Sequence, residues 1–315
     1  MTEAEASTAS AITRAEVLSQ PETWTKVLLQ RDQARAILPA AGTPALVVGC
    51  GTSYYIGEAY ARLRSAAGLG HTRAAVPSEV PYFSEDETLV VLSRSGTTSD
   101  IVQLVERVRH RCRVVGIVGD RATPIAQLCD EVVQLDFADE RSIVQTRFAT
   151  SSALLLRSTL AAPLGHLPDE ARRALELPLP EPLPQHTVFL GTGWTVALAH
   201  EAALKCREAA GAWTEAYPVM EYQHGPIAAA GPDTLVWSFG PLPDFVRGPI
   251  EATGARVWVL DLDPLAQLVA VHGLALALSD AAGWNADHPR HLSRSVLLER
   301  TPVVKVGWPS ILAED

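Results

Sequence analysis

The chain has 315 residues, of which 47% are hydrophobic, 6% aromatic and 20% charged, the composition of a globular protein with one to three domains. Its 26 Lys and Arg against 36 Asp and Glu leave a net charge of −10, which works against an extended polyanion and so against nucleic acid as a partner. Only Lys26, Lys205 and Lys305 are lysines, so chemistry that needs a deprotonatable amine has few sources.

Met1 to Gln20 is rich in Ala, Ser, Thr and Glu, with neither a basic start nor an apolar core, so it does not read as a signal peptide and is expected to fray. Ala45 to Gly49 is a short apolar run ending in glycine, a predicted strand, and Ser53 to Ser65 follows as a helix. Thr88 to Leu92 reads as a strand, Thr98 to Arg111 as an amphipathic helix and Arg113 to Val118 as another strand. From Pro163 to Gln185 the chain places Pro178, Pro180, Pro182 and Pro184 at alternate positions, which removes backbone donors and favours an extended linker. Beyond it Thr187 to Leu190 is a strand, Thr195 to Ala210 a helix, and Thr234 to Trp237 and Arg256 to Leu260 two more strands. The expected divisions are an N-terminal extension 1–24, a first domain 25–165, a proline-rich linker 166–186, a second domain 187–300 and a tail 301–315.

Strands alternating with helices predict an α/β protein whose parallel sheets are covered on both faces. Arg, Asp, Glu, Gly and Pro interrupt every apolar stretch before the ~20 residues a membrane helix needs, so no membrane association is expected. Cys50, Cys112, Cys129 and Cys206 show neither CxxC spacing nor disulfide density, which favours a cytoplasmic protein with core thiols. His288 and His291 lie in a proline-interrupted stretch without an acidic cluster, and no metal is expected there.

The two halves align as a diverged tandem repeat. Val48-Gly49-Cys50-Gly51-Thr52 falls on Leu190-Gly191-Thr192-Gly193-Trp194, and the strand from Arg113 falls on the one from Arg256. Only the first copy carries Ser93-Arg94-Ser95-Gly96-Thr97-Thr98; its counterpart near Ser238 has lost the hydroxyls. A polar ligand site is therefore expected in the first unit.

Both Gly-x-Gly turns fail the dinucleotide test, because Tyr54 and Val196 stand where a small residue would let a pyrophosphate approach. No Gly-Lys-Ser/Thr run exists for a nucleotide P-loop. What remains is two strand-to-helix junctions whose hydroxyls, from Thr52, Ser53, Ser93, Ser95 and Thr98, and whose helix N-terminal amides suit one phosphate. The competing structural account is ordinary N-capping by Ser and Thr.

In Glu201-Ala-Ala-Leu-Lys205-Cys-Arg-Glu208 the three charged residues lie within about 60° on one helix face. Glu215, Glu221 and His224-Gly225-Pro226 follow. A solvated Glu–Lys pair is one reading of that face, and a site is the other.

These runs, in this order and spacing, resemble the double sugar-isomerase (SIS) domain family, both the isomerase half of glucosamine-6-phosphate synthase and stand-alone phosphosugar isomerases and deaminases. Asp287 to Glu299 resembles the end of that half, and Glu140 to Arg147 the segment closing the first domain in stand-alone relatives. The resemblance implies two flavodoxin-like αβα three-layer domains with parallel sheets. It implies phosphate binding by Thr52, Ser53, Ser93, Ser95 and Thr98, with Arg94 where the synthase has glutamine. It further implies proton transfer by Glu208, a nearby active-site Lys205, a ring-opening His224 from a neighbouring subunit, and hence a homodimer.

Two departures qualify it. No N-terminal nucleophilic cysteine of a glutaminase is present, so glutamine-dependent synthesis is not expected. A sugar-binding lysine of the synthase falls on Arg294, which can bind by charge but cannot form an imine. The expectation is a cytoplasmic isomerase or amino-sugar-phosphate deaminase working on an open-chain hexose or hexosamine 6-phosphate, with no cofactor. The alternative is a non-catalytic sugar-phosphate sensor, which would need neither Glu208 nor His224.

Overall fold

The computed structural model describes residues 9–80, 82–160 and 164–298. The first unit opens with helices α1 (Ala11–Leu18), α2 (Gln20–Leu29) and α3 (Arg31–Ile37), then runs β1 (Ala45–Val48), α4 (Thr52–Ala66), β2 (Thr72–Ala75), β3 (Thr88–Ser93), α5 (Ser99–Val108), β4 (Val114–Val118), α6 (Pro124–Leu128), β5 (Glu131–Gln134) and α7 (Arg147–Ser158). Helix α8 (Leu167–Glu176) leads to the second unit: β6 (His186–Gly191), α9 (Thr195–Ala210), β7 (Trp213–Pro218), β8 (Thr234–Ser238), α10 (Asp244–Ala252), β9 (Arg256–Val259) and α11 (Pro264–Ala281).

The first sheet has the order β2-β1-β3-β4-β5, the second β7-β6-β8-β9, and every pairing is parallel. The first is the flavodoxin order, and the second repeats it without a fifth strand. Strands β1, β3 and β4 are buried throughout, which is why they read as unbroken Val, Leu and Ile rather than as alternating patterns. One face of the first sheet packs under α5 and α6, and the outer face of the second under α10. The inner faces of both sheets share one core, which runs from Val47 and Val90 through Phe189 and Trp237. The expected pair of αβα units is what folds.

The centre of that shared core is α9 packed against α11 and α4. Alanines at 197, 199, 202, 203, 209 and 210 are buried, and their small side chains let the neighbouring helices approach closely. Helix α11 is apolar on nearly every side because it is wrapped on nearly every side. It is long and apolar enough to pass as a membrane span by composition, but 72% of it is buried inside this fold.

Two expectations are corrected. The described part of the N-terminal stretch does not fray: it forms α1, Val17 is buried, and Thr13 Oγ1 donates to Asp287 Oδ1 at 2.7 Å; just beyond it Trp24 is fully buried and donates Nε1 to Thr150 Oγ1 at 3.0 Å. The linker is not extended along its length. Its first part forms α8, which buries Leu167, Ala171 and Ala174, with Pro168 accommodated in the first turn, where no helical N–H is lost. The alternate prolines follow the helix; Pro163 and residues 301–315 lie outside the described residues.

Candidate functional site

In a sheet of this order the crevice opens at the C-terminal ends of β1 and β3, where successive connections leave in opposite directions. Both hydroxyl-rich runs sit there. After β1 the chain turns so tightly into α4 that a side chain on Gly49 would stand 2.6 Å from the Ser53 carbonyl carbon. After β3, Gly96 adopts φ 63° and lies against Thr123, whose Oγ1 would be 2.1 Å from an added Cβ. These positions require glycine for steric reasons.

Capping does not occupy the hydroxyls. Neither α4 nor α5 has a side-chain cap hydrogen bond at its N-terminus. Ser93 Oγ accepts instead from Gly96 N at 3.1 Å, and Ser95 Oγ from Thr97 N at 3.4 Å. Ser53 is buried in the first turn of α4, and Thr98 is the N-cap position of α5. The result is a cradle of two helix N-termini and a serine loop, suited to an anion.

The tail covers one rim of this cradle. Thr97 Oγ1 donates to Ser295 Oγ at 3.0 Å, Ser99 N to Val296 O at 3.3 Å, and Leu298 N to Ser99 Oγ at 3.0 Å. Arg294 stands nearby, but its guanidinium pairs with Asp139 at 2.7 Å. Arg94 departs further from its expected role as a phosphate ligand. Its side chain is 1% exposed and turned inward, donating Nη1 to Ser142 O at 2.9 Å and lying 3.7 Å from Glu140.

The second constellation comes from α9, which delivers Glu201, Lys205 and Glu208 from one face against the start of α4. Lys205 Nζ donates to Thr52 Oγ1 at 2.7 Å, and Thr52 Oγ1 in turn donates to Glu201 Oε1 at 3.1 Å. Lys205 also pairs closely with Glu208 and lies 3.5 Å from Glu201. This is no solvated surface pair: the Glu201 and Lys205 side chains are 0% and 1% exposed, whereas Glu208 keeps 20%. Thr52 thus belongs with these charges more than with the anion cradle. Of the two carboxylates, Glu208 is the one with access to a ligand.

Burial disfavours the charge on both Glu201 and Lys205, with opposite net outcomes. The Glu201 carboxyl is pushed up to about 7, by burial first and by Glu208 second, with Lys205 opposing. For Lys205 the two carboxylates outweigh burial and hold its pKa above the usual amine value. A carboxyl with a raised pKa binds its proton in the folded state before the unfolded chain does. Its contribution to stability therefore declines as pH rises from about 4.5 to about 7. Glu201→Gln is accordingly expected to gain stability relative to the wild type across that window, by up to about 3 kcal/mol. Urea titrations at pH 5 and pH 7.5 check it; a pH-independent difference between the two proteins would refute it.

His224 is not brought to this cluster. It stands exposed after the short helical turn Glu221–Gln223, its backbone N–H donated to Glu221 O at 2.9 Å. Sequence reasoning did not single out His272, which lies fully buried in α11 with neither ring nitrogen hydrogen-bonded and feels the Lys205 charge. Burial first, and that charge second, lower its pKa to about 3. Among the described residues no group of three or more His, Cys, Asp or Glu is arranged to hold a metal.

Comparison with known proteins places these features in a wider set. Residues 44–162 match the SIS domain family. The glutamine–fructose-6-phosphate aminotransferase (isomerizing) of Aeropyrum pernix is 28% identical over 90% of this chain and 57% of its own length. That of Pyrobaculum aerophilum is 29% identical over 68% and 40%. The chain thus spans about half the length of these curated relatives. Among solved structures, glucosamine-6-phosphate deaminase from Thermotoga maritima superimposes with a TM-score of 0.79 at 23% identity, over 91% of this chain and all of the other. The tagatose-6-phosphate ketose/aldose isomerase of Escherichia coli gives 0.70 at 19% identity, over 92% and 100%.

Proposed function

We propose, from the match of residues 44–162 to the SIS domain family, that the chain is a cytoplasmic phosphosugar isomerase or amino-sugar-phosphate deaminase. Its substrate is an open-chain hexose or hexosamine 6-phosphate. The observation that carries this reading is the convergence of an anion cradle after β1 and β3 with a partly exposed carboxylate, Glu208, held by a buried lysine at the start of α4. The names of the related proteins, with their hexose and hexosamine phosphates, support the substrate class.

In this mechanism the serine loop and the two helix N-termini bind the phosphate and fix the far end of the substrate. Glu208 removes a proton from the carbon beside the carbonyl and returns it to the next carbon. One carboxylate suffices because the two carbons are adjacent and present the same face. Lys205 is fully committed to Thr52, Glu201 and Glu208, and so orients the base. The acid that opens the sugar ring is His224 of a second subunit, which makes the working unit a homodimer. Its exposure and lack of a role within its own subunit's site fit that assignment. Arg294 acts at the rim through its charge.

A screen of hexose and hexosamine 6-phosphates in heavy water, followed by mass spectrometry, tests the reading. Solvent deuterium incorporated at C1 or C2, with or without ammonia release, is expected for at least one of them. Tight binding of a sugar phosphate with no exchange in any would make the protein a sensor. The phosphate anchor has its own test: Ser93→Ala with Ser95→Ala is expected to weaken sugar-phosphate binding at least ~10-fold, since hydrogen bonds to a charged acceptor contribute about 1.5–3 kcal/mol. Calorimetric titration measures this, and an unchanged affinity moves the anchor elsewhere.

A further inference from the structure

The mechanism above leaves Arg94 without a task, although it stands between the two serines of the phosphate loop. Its guanidinium is fixed by three neighbours. Nη1 donates to Ser142 O at 2.9 Å and lies 3.7 Å from Glu140 Oε2, while Nη2 donates to Arg294 O at 3.4 Å. The Glu140 carboxylate is held in turn, its Oε1 accepting from Thr146 N at 2.6 Å, Thr146 Oγ1 at 2.7 Å and Arg147 N at 2.8 Å. The main chain of Arg94 is tied as well: its carbonyl accepts from Gly119 N, just after β4, at 3.3 Å.

Side chains alternate along a strand. In β3, Val90 and Leu92 belong to the shared core, whereas Leu89 and Val91 face α5 and α6. With Arg94 drawn to the core side, Ser93 is turned to the side of α5, where its Oγ accepts from Gly96 N at 3.1 Å. The acceptor that draws Arg94 inward, Ser142 O, is itself located from α1. Glu16 is buried there, and its carboxylate accepts from Arg141 N at 2.6 Å and Ser142 N at 3.3 Å. The start of that helix is pinned by Asp287, which accepts from Ile12 N at 3.0 Å and Thr13 N at 2.7 Å. Glu16 therefore reaches the serine loop through hydrogen bonds alone, by way of the Ser142 main chain and the Arg94 guanidinium.

We propose that Arg94 is a positioning residue that sets the conformation of the phosphate loop, and that Glu16 holds Arg94 in that role through the main chain at 141–142. The guanidinium suits the task because its rigid fork serves two carbonyls at once, those of Ser142 and Arg294, which a single ammonium does not span.

The part of this inference that concerns phosphate rests on the reading of the serine loop as the substrate's phosphate anchor; the part that concerns loop conformation does not. Hydrogen exchange on the full chain reads the second. The amides of Gly96, Thr97 and Gly119 donate to Ser93 Oγ, Ser95 Oγ and Arg94 O. In Arg94→Gln/Glu140→Gln, which removes the ion pair as a whole, these amides are expected to exchange at least about tenfold faster, while those in the middle of β1 and β3 stay within about threefold. Arg94→Lys, which keeps the charge beside Glu140 but loses the fork, serves if the double variant does not fold. Glu16→Ala is expected to show the same local pattern, and Glu16→Gln replaces it if it does not fold. Unchanged exchange at the three amides, or an equal rise in the core strands, overturns the proposal.

The second measurement is a titration with inorganic phosphate at constant ionic strength. Glu16→Ala removes a negative charge, which by charge alone strengthens anion binding. The positioning role predicts the opposite sign, a loss of at least about fivefold in affinity. Equal or tighter binding in that variant overturns the proposal. If the wild type itself binds no phosphate, the functional reading fails, and hydrogen exchange still decides whether Arg94 and Glu16 set the loop.

Discussion

Glu208→Gln is expected to lower turnover and solvent deuterium exchange by ~10²–10⁴, the usual contribution of a positioned general base, while sugar-phosphate affinity stays within about tenfold. The structure explains why the two effects separate. The anion cradle is built from β1, β3 and the starts of α4 and α5, none of which includes Glu208. Glutamine also keeps an oxygen that can accept from Lys205, so the side chain retains its place beside the ammonium. What is lost is the ability to take a proton. Glu201 shares the cluster and is the obvious substitute, but its side chain is closed off from solvent and holds its carboxyl at about 7. Exchange at the wild-type rate in Glu208→Gln would shift the role of base to Glu201 or Glu221. A parallel loss of binding and turnover would mean instead that Glu208 is a substrate ligand.

The features that reveal this site in the sequence are those with a local steric or chemical signature. Strands buried on both faces read as apolar runs, and their ends are marked by Gly49, Gly51 and the serine loop. The Glu201, Lys205 and Glu208 stripe follows from helical spacing alone. What spacing leaves open is whether that stripe faces water, because α9 is Ala-rich on its other sides too, and only the packing of α4 and α11 against it decides the matter.

Other elements lack such signatures. The edge strands β2, β5 and β7 are only partly buried and carry Thr, Arg, Glu, Gln and Pro, so no apolar run marks them. Helix α11 is buried on nearly all sides and has no amphipathic period to detect. Arg94 shows the same gap within the site. Its place between Ser93 and Ser95 suggests a third phosphate ligand, yet the chain alternates direction there and sends the guanidinium into the interior toward Ser142 and Glu140. Direction at the end of a strand depends on sheet register, a tertiary property that neighbouring residues do not encode. Nor does the N-terminal stretch announce itself, because its few anchors, Val17, Trp24 and Val27, are spread among polar residues.

Mixing Glu208→Gln chains with His224→Ala chains is expected to restore activity that neither possesses alone. The expectation follows from where the two residues lie. Glu208 keeps partial exposure beside the start of α4, while His224 is exposed on a loop beyond β7, its backbone N–H held by Glu221 O. Within one chain the imidazole takes no part in the Lys205 cluster, and the proposed assignment brings it to the substrate from a second copy. In a mixed dimer one site then combines both mutated residues and the other is intact. With random reassortment half of the dimers are mixed and each has one working site. Activity should therefore recover to about a quarter of the wild-type level. Subunit exchange is verified independently by native mass spectrometry of chains that differ in mass. Recovery at that level places His224 across the interface. Exchange without recovery, with each variant inactive by itself, assigns both residues to one subunit's site and removes the reason for the dimer.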